Sequence, residues 1–238
     1  MSASLDIPKT TLHRVLDSLV KLELLEVTAG GLYGWGPELR TIATAVNQAH
    51  DLSRLAAPIL REISDRFNET MLLSIYDAKT LSIVFIEQAQ GRQPIRYHPT
   101  MDTPRPIHAG ASGRSVLAFL PHAEIERILA NGLPAITDKT ITDTAAMMAD
   151  LQDVRARGYA VSRGERTVGA VGIGCPILGR DGSAIGGIMM TIPEYRFRRS
   201  MEKGIAAAIH DGARWISRQL GFQEPNGRRP VLKRGSRR

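Results

Sequence analysis

Leu12, Val15, Leu16, Leu19 and Val20 recur at i, i+3, i+4, i+7 and i+8, a spacing that predicts a helix of about four turns with one apolar side. Pro8 suits its first position, where a missing N–H costs no intrahelical bond. The opposite side carries Lys9, Thr10, His13, Arg14, Asp17 and Lys21. Two short strand-like runs follow, residues 24–27 and 32–35, joined by Thr28-Ala29-Gly30-Gly31, whose glycines allow the positive φ of a tight hairpin. A helix followed by a small ribbon is the outline of a winged helix-turn-helix. After Gly36-Pro37 a long helical pattern covers residues 39–67, with Pro58 expected to break or kink it.

The pattern then changes. Residues 71–76 and 81–88 read as strands, followed by helices over 113–120, 122–130 and 143–157. Three further strands are predicted at 159–163, 170–178 and 184–192, the last two joined through Arg180-Asp181-Gly182, and a final helix at 194–220. Strands in hairpins with helices grouped between them predict an antiparallel α+β domain. No apolar run reaches the roughly 18 residues of a membrane span.

Composition narrows the class. Over 238 residues, 43% hydrophobic and 23% charged are globular values. A single cysteine cannot form an internal disulfide, and the start of the chain lacks a signal-peptide layout, so a cytoplasmic protein without membrane partner is expected. The net charge of +7 suggests nucleic acid until it is located. Residues 223–238 hold six basic groups and one acidic, and are expected to form a disordered basic tail. Residues 1–40 carry a net −1, so net charge does not support DNA binding by the first segment.

Three strings, in this order, resemble the IclR family of bacterial transcriptional regulators. They are Ile7-Pro8-Lys9-Thr10-Thr11-Leu12-His13-Arg14-Val15-Leu16; Pro106-Ile107-His108-Ala109-Gly110-Ala111-Ser112-Gly113-Arg114-Ser115-Val116-Leu117-Ala118; and Arg157-Gly158-Tyr159-Ala160-Val161 with Glu165, Gly169 and Pro176. The resemblance implies an α+β chain in four parts. These are a partial winged helix-turn-helix DNA-binding domain over 1–38, a linker helix over 39–52, a GAF-like antiparallel-sheet effector-binding domain over 53–222, and the tail over 223–238. Asp6 stands where the family has a turn glycine before its recognition helix. The first helix and most of the second precede none of these residues, so the chain as it begins is expected to bind DNA poorly without a longer N-terminus.

The resemblance makes Lys9, Thr10, Thr11, His13 and Arg14 candidate DNA contacts, able to reach base edges or phosphates from a helix in the major groove. Without it, an ordinary solvated helix face explains the same residues. For the effector, the helix start at Ala111, Ser112 and Gly113 offers unpaired N–H groups to a carboxylate; a plain helix cap is the alternative. Carried over by position, Ser162, Gly172, Met189 and Thr191 also line the effector site. They stand where members have Asp, Cys or serines, which removes polar contacts and leaves room. The expectation is therefore an aromatic or branched carboxylate. Tyr97 and His98 are further candidates for the lining, or packing residues.

Ser112 beside His108 lacks a G-x-S-x-G elbow, which argues against a hydrolase. Neither metal-ligand spacing nor a dinucleotide fingerprint is present, so no enzyme, metal or cofactor is expected. The function expected is a ligand-responsive transcriptional regulator, a repressor, binding operator double-stranded DNA as a homodimer or homotetramer. The alternative is a small-molecule sensor or interaction module that has lost DNA binding.

Overall fold

The structure is a computed structural model and describes residues 8–223. The tail expected over 223–238 lies outside the described residues apart from Gln223, as do residues 1–7 of the first predicted domain. The chain divides into two units between Arg54 and Leu55.

In the first unit, helix α1 (Lys9–Lys21) starts directly after Pro8. Its apolar stripe buries Leu16, half-buries Leu12, Leu19 and Val20, and leaves Val15 51% exposed. Strands β1 (Leu25–Val27) and β2 (Tyr33–Trp35) pair antiparallel with Leu25 opposite Trp35. Gly31, at φ +72, closes the hairpin. Gly36 permits a close crossing, because a Cβ there would stand 2.0 Å from the Glu23 carbonyl oxygen. Arg40 on helix α2 (Pro37–Phe67) donates to both carboxylate oxygens of Glu26, at 3.1 and 3.0 Å, and to the Trp35 carbonyl. This fork fastens the start of α2 to the ribbon.

Pro58 does not break α2. The proline removes one backbone hydrogen bond, while Ala56, Leu60 and Ile63 on either side of it are buried, and that burial keeps the chain helical.

The second unit is built on a six-stranded antiparallel sheet of order β5-β4-β3-β8-β7-β6. Its strands are β3 (Thr70–Asp77), β4 (Ser82–Ala89), β5 (Arg105–Pro106), β6 (Ala160–Arg163), β7 (Ala170–Leu178) and β8 (Ala184–Pro193). The edge strand β5 is not predicted from the sequence. Two residues carry no periodicity, and a proline can pair only where its missing N–H faces away from the ladder. Helix α3 (Gly110–Leu117) lies on one face of the sheet and is buried along all of its residues. It starts three residues before the expected position. Helix α4 (His122–Ala130) contributes Ile125 and Ile128 to the same core, and α5 (Thr144–Arg157) contributes Met147, Leu151 and Val154.

Helix α5 is capped at both ends: Asp143 accepts from the Ala146 N–H, and Gly158 takes the left-handed conformation at φ +81. The last helix, α6 (Glu202–Gln219), packs on β7 and β8 from the other face, and Gly212 gives it close approach to Ile59, Ile63 and Ile188. It begins at Glu202 rather than 194, because a turn and a short 3-10 helix (Arg199–Met201) come first. No helix among the described residues is long and apolar enough to cross a membrane.

Candidate functional site

Strand register assembles one wall of a cavity. Ser162 on β6 lies opposite Gly172 on β7, and Gly172 lies opposite Thr191 on β8. Met189, two residues along β8 from Thr191, faces the same way, since side chains on a strand alternate with period two. Helix α3 covers this face. A Cβ at Gly172 would lie 3.0 Å from Ser162 Oγ, 3.1 Å from Met189 Cε and 3.2 Å from Ala111 Cβ, so the glycine keeps open the space between sheet and helix.

The resulting cavity measures about 210 Å³. Ala111, Ser112, Ser162, Gly172, Met189 and Thr191 all line it, together with Tyr97 and His98. Gly113 does not. It faces the preceding chain, where a Cβ would come within 1.9 Å of the Ile107 carbonyl oxygen, and so allows α3 to pack closely there. Leu72 and Phe85 add apolar surface from β3 and β4.

Three charged side chains join the lining beyond the residues that the sequence suggests: Arg105, Glu165 and Arg166. Glu165 accepts from the Gly110 N–H at 3.3 Å, so a carboxylate of the protein already stands at the positive end of α3. The same carboxylate accepts from Arg114 at 2.9 and 2.6 Å. Burial pushes the Glu165 carboxyl above its ordinary range, and the Arg114 guanidinium opposes that rise. Arg166 donates to the backbone carbonyls of Ala109, at 3.1 and 2.6 Å, and Pro106. Burial, with repulsion from Arg105 second, brings its guanidinium down to about 10.

Arg105 donates to the Thr100 carbonyl at 3.1 Å and lies over the Phe85 ring at 5.3 Å. Its Nε is buried without a hydrogen-bond partner. Burial lowers its pKa as well. Glu165 belongs to one of the family-like strings, which was the available signal; an isolated arginine among prolines, such as Arg105, offers none.

His108 is buried and bonded through Nε2 to the Pro134 carbonyl at 2.9 Å, with its pKa depressed by burial. It and Ser112 are not hydrogen-bonded to each other among the described residues. In the first unit, Lys9, Thr10, Thr11, His13 and Arg14 are all exposed along α1.

The family described as bacterial transcriptional regulator IclR C-terminal matches residues 44–218. The HTH-type transcriptional regulator KipR of Bacillus subtilis is 30% identical over 216 residues, 90% of this chain and 86% of KipR. The C-terminal domain of the E. coli transcriptional regulator KdgR, a solved structure, is 31% identical with a TM-score of 0.64, covering 72% of this chain and 99% of that domain. An IclR homologue from Microbacterium hydrocarbonoxydans, solved in complex with 4-hydroxybenzoate, shares the fold with a TM-score of 0.66 at 24% identity, covering 92% of this chain and 88% of its own.

Proposed function

We propose, from the premise that this chain belongs to the IclR family of bacterial transcriptional regulators, that it senses a small aromatic or branched carboxylate and changes its hold on operator DNA in response. Its relatives are regulators rather than enzymes. The observation that carries the proposal is the cavity under α3. At about 210 Å³ it exceeds the roughly 150 Å³ that suffices for benzene. Its lining joins an apolar wall of Leu72, Phe85 and Met189 to the hydroxyls of Ser112, Ser162 and Thr191. Ligand sites combine those two surfaces so that the first supplies affinity and the second orientation. The solved homologue holding 4-hydroxybenzoate supports a ligand of this kind.

We assign residues 1–38 to DNA binding, 39–52 to a linker and 53–222 to effector binding, with Lys9, Thr10, Thr11, His13 and Arg14 as the DNA contacts. A homodimer or homotetramer would present two such helices to a two-fold operator. For the ligand to regulate, it must favour one arrangement of the DNA-binding parts over another.

The net −1 of residues 1–40 favours a second reading, a sensor that acts through protein contacts without DNA. One experiment separates the two. A thermal-shift screen of aromatic and branched carboxylates on the full chain is followed by gel shifts on the promoter region upstream of its own gene, with and without the acids that bind. The regulator reading expects a raised Tm with some acids and ligand-dependent retardation of DNA. A raised Tm with no retardation at low salt selects the second reading, and no shift with any carboxylate rejects the effector class.

A further inference from the structure

Positive charge around the cavity is distributed in a way that the start of α3 does not explain. The first N–H of that helix is occupied by Glu165. A ligand carboxylate brought to Ala111 and Ser112 would therefore meet a like charge. Arg105 and Arg166 line the same cavity, near enough to repel each other. Among the described residues neither makes an ion pair. Glu165, the carboxylate in the same lining, is bonded to Arg114.

The two arginines differ in what they have left to give. Arg166 spends Nε and Nη2 on the carbonyls of Ala109 and Pro106, so it contributes mainly charge. Arg105 spends Nη2 on Thr100 and keeps a buried Nε with no partner. Arg105 also lines a second cavity; the carbonyl it donates to, Thr100, and the ring it lies over, Phe85, belong to the lining of the cavity under α3. Glu165 offsets part of the charge of Arg166, while Arg105 has no carboxylate bonded to it, and a carboxylate matches the fork of a guanidinium.

The geometry points to Arg105, assisted by the charge of Arg166, as the group that holds the acid end of the effector and makes the site select acids over neutral molecules of the same shape. The apolar body of the ligand then lies against Phe85, Leu72 and Met189. This rests on the reading of the cavity as an effector site.

Calorimetric titration of the full chain with benzoate and isovalerate, and with their neutral counterparts benzamide and isovaleramide, tests it. The wild type should prefer an acid to its amide by about tenfold or more, the worth of one charge-assisted hydrogen bond. Arg105→Gln should reduce that preference to within about threefold, and Arg105→Lys, which keeps the charge but loses the fork, should fall between. An undiminished preference in a folded Arg105→Gln protein overturns the inference while leaving the carboxylate reading intact. Failure of both acids and both amides to bind the wild type removes the carboxylate reading and the inference with it.

A crystal structure of the wild-type complex with benzoate gives a check that needs no variant. A carboxylate within about 3.2 Å of the Arg105 guanidinium supports the assignment. One resting on the N–H groups of Ala111 or Ser112 overturns it.

Discussion

Glu165 and Arg114 meet side by side, Oε2 to Nε at 2.9 Å and Oε1 to Nη2 at 2.6 Å. The guanidinium is 1% exposed; it also donates to Asp150 and, at 2.6 Å, to the carbonyl of Val161. One side chain on α3 thus joins α5, β6 and the segment that follows β6. Because Glu165 also holds the Gly110 N–H, the same pair fixes the end of α3 that forms part of the cavity wall.

Arg114→Met should therefore be strongly destabilising. It would leave two carboxylates facing each other without their shared cation, at a cost of about 3–5 kcal/mol for a broken buried pair. Equilibrium urea unfolding measures this directly, and a loss below about 1 kcal/mol would show that the network is dispensable.

Gly172→Ala should act on the cavity more than on the fold. The added methyl meets Ser162 Oγ and Met189 Cε at 3.0 and 3.1 Å, and Met189 has the cavity to move into. Expected are a stability loss of about 1 kcal/mol, at the low end for overpacking, and an affinity for any bound carboxylate about tenfold weaker. Thermal shift with and without ligand separates the two effects.

His108 should make the fold sensitive to mild acid. Its folded pKa is lowered by burial, so the unfolded chain takes up the proton first as pH falls. Stability from this group is complete above the ordinary histidine value of about 6.5 and is lost as pH drops from there toward the depressed folded value. His108→Gln, which can still donate to the Pro134 carbonyl, should flatten the fall in Tm between pH 7.5 and 5.5. An equal fall in both proteins would assign the acid sensitivity to other groups.

If α1 contacts DNA as proposed, Lys9→Ala and Arg14→Ala should weaken binding and leave the fold intact, since both side chains are exposed. A residue that touches phosphate should lower the slope of log affinity against log salt by about 1 for every sequence; one that reads a base should relax specificity instead. Gel shifts over a salt series distinguish these outcomes, and unchanged binding in both variants would exclude α1 from the interface.

Cys175 should be unreactive in the native protein. It lies fully buried on β7, and burial raises its thiol well above the ordinary value. A thiol reagent such as Ellman's should titrate no native thiol at pH 8 and one after unfolding in urea.

The amino-acid sequence by itself determined the elements whose signals are local. The period of Leu12 to Val20 placed α1, the glycines after Thr28 placed the hairpin, and the pattern over 143–157 placed α5, because helix period and turn φ each involve neighbours a few residues apart. The family resemblance, carried over by position, added six cavity residues that spacing alone could not group. Tertiary structure decided the rest. It carried α2 through Pro58, since burial of Leu60 and Ile63 outweighs one missing hydrogen bond. It formed β5 from two residues against Ser82 and Ile83. It also set Glu165 on the end of α3 and brought Arg105 and Arg166 to one cavity. Charges far apart in the chain acquire a common function only when the sheet and helix that carry them exclude water between them, and no local pattern records that enclosure.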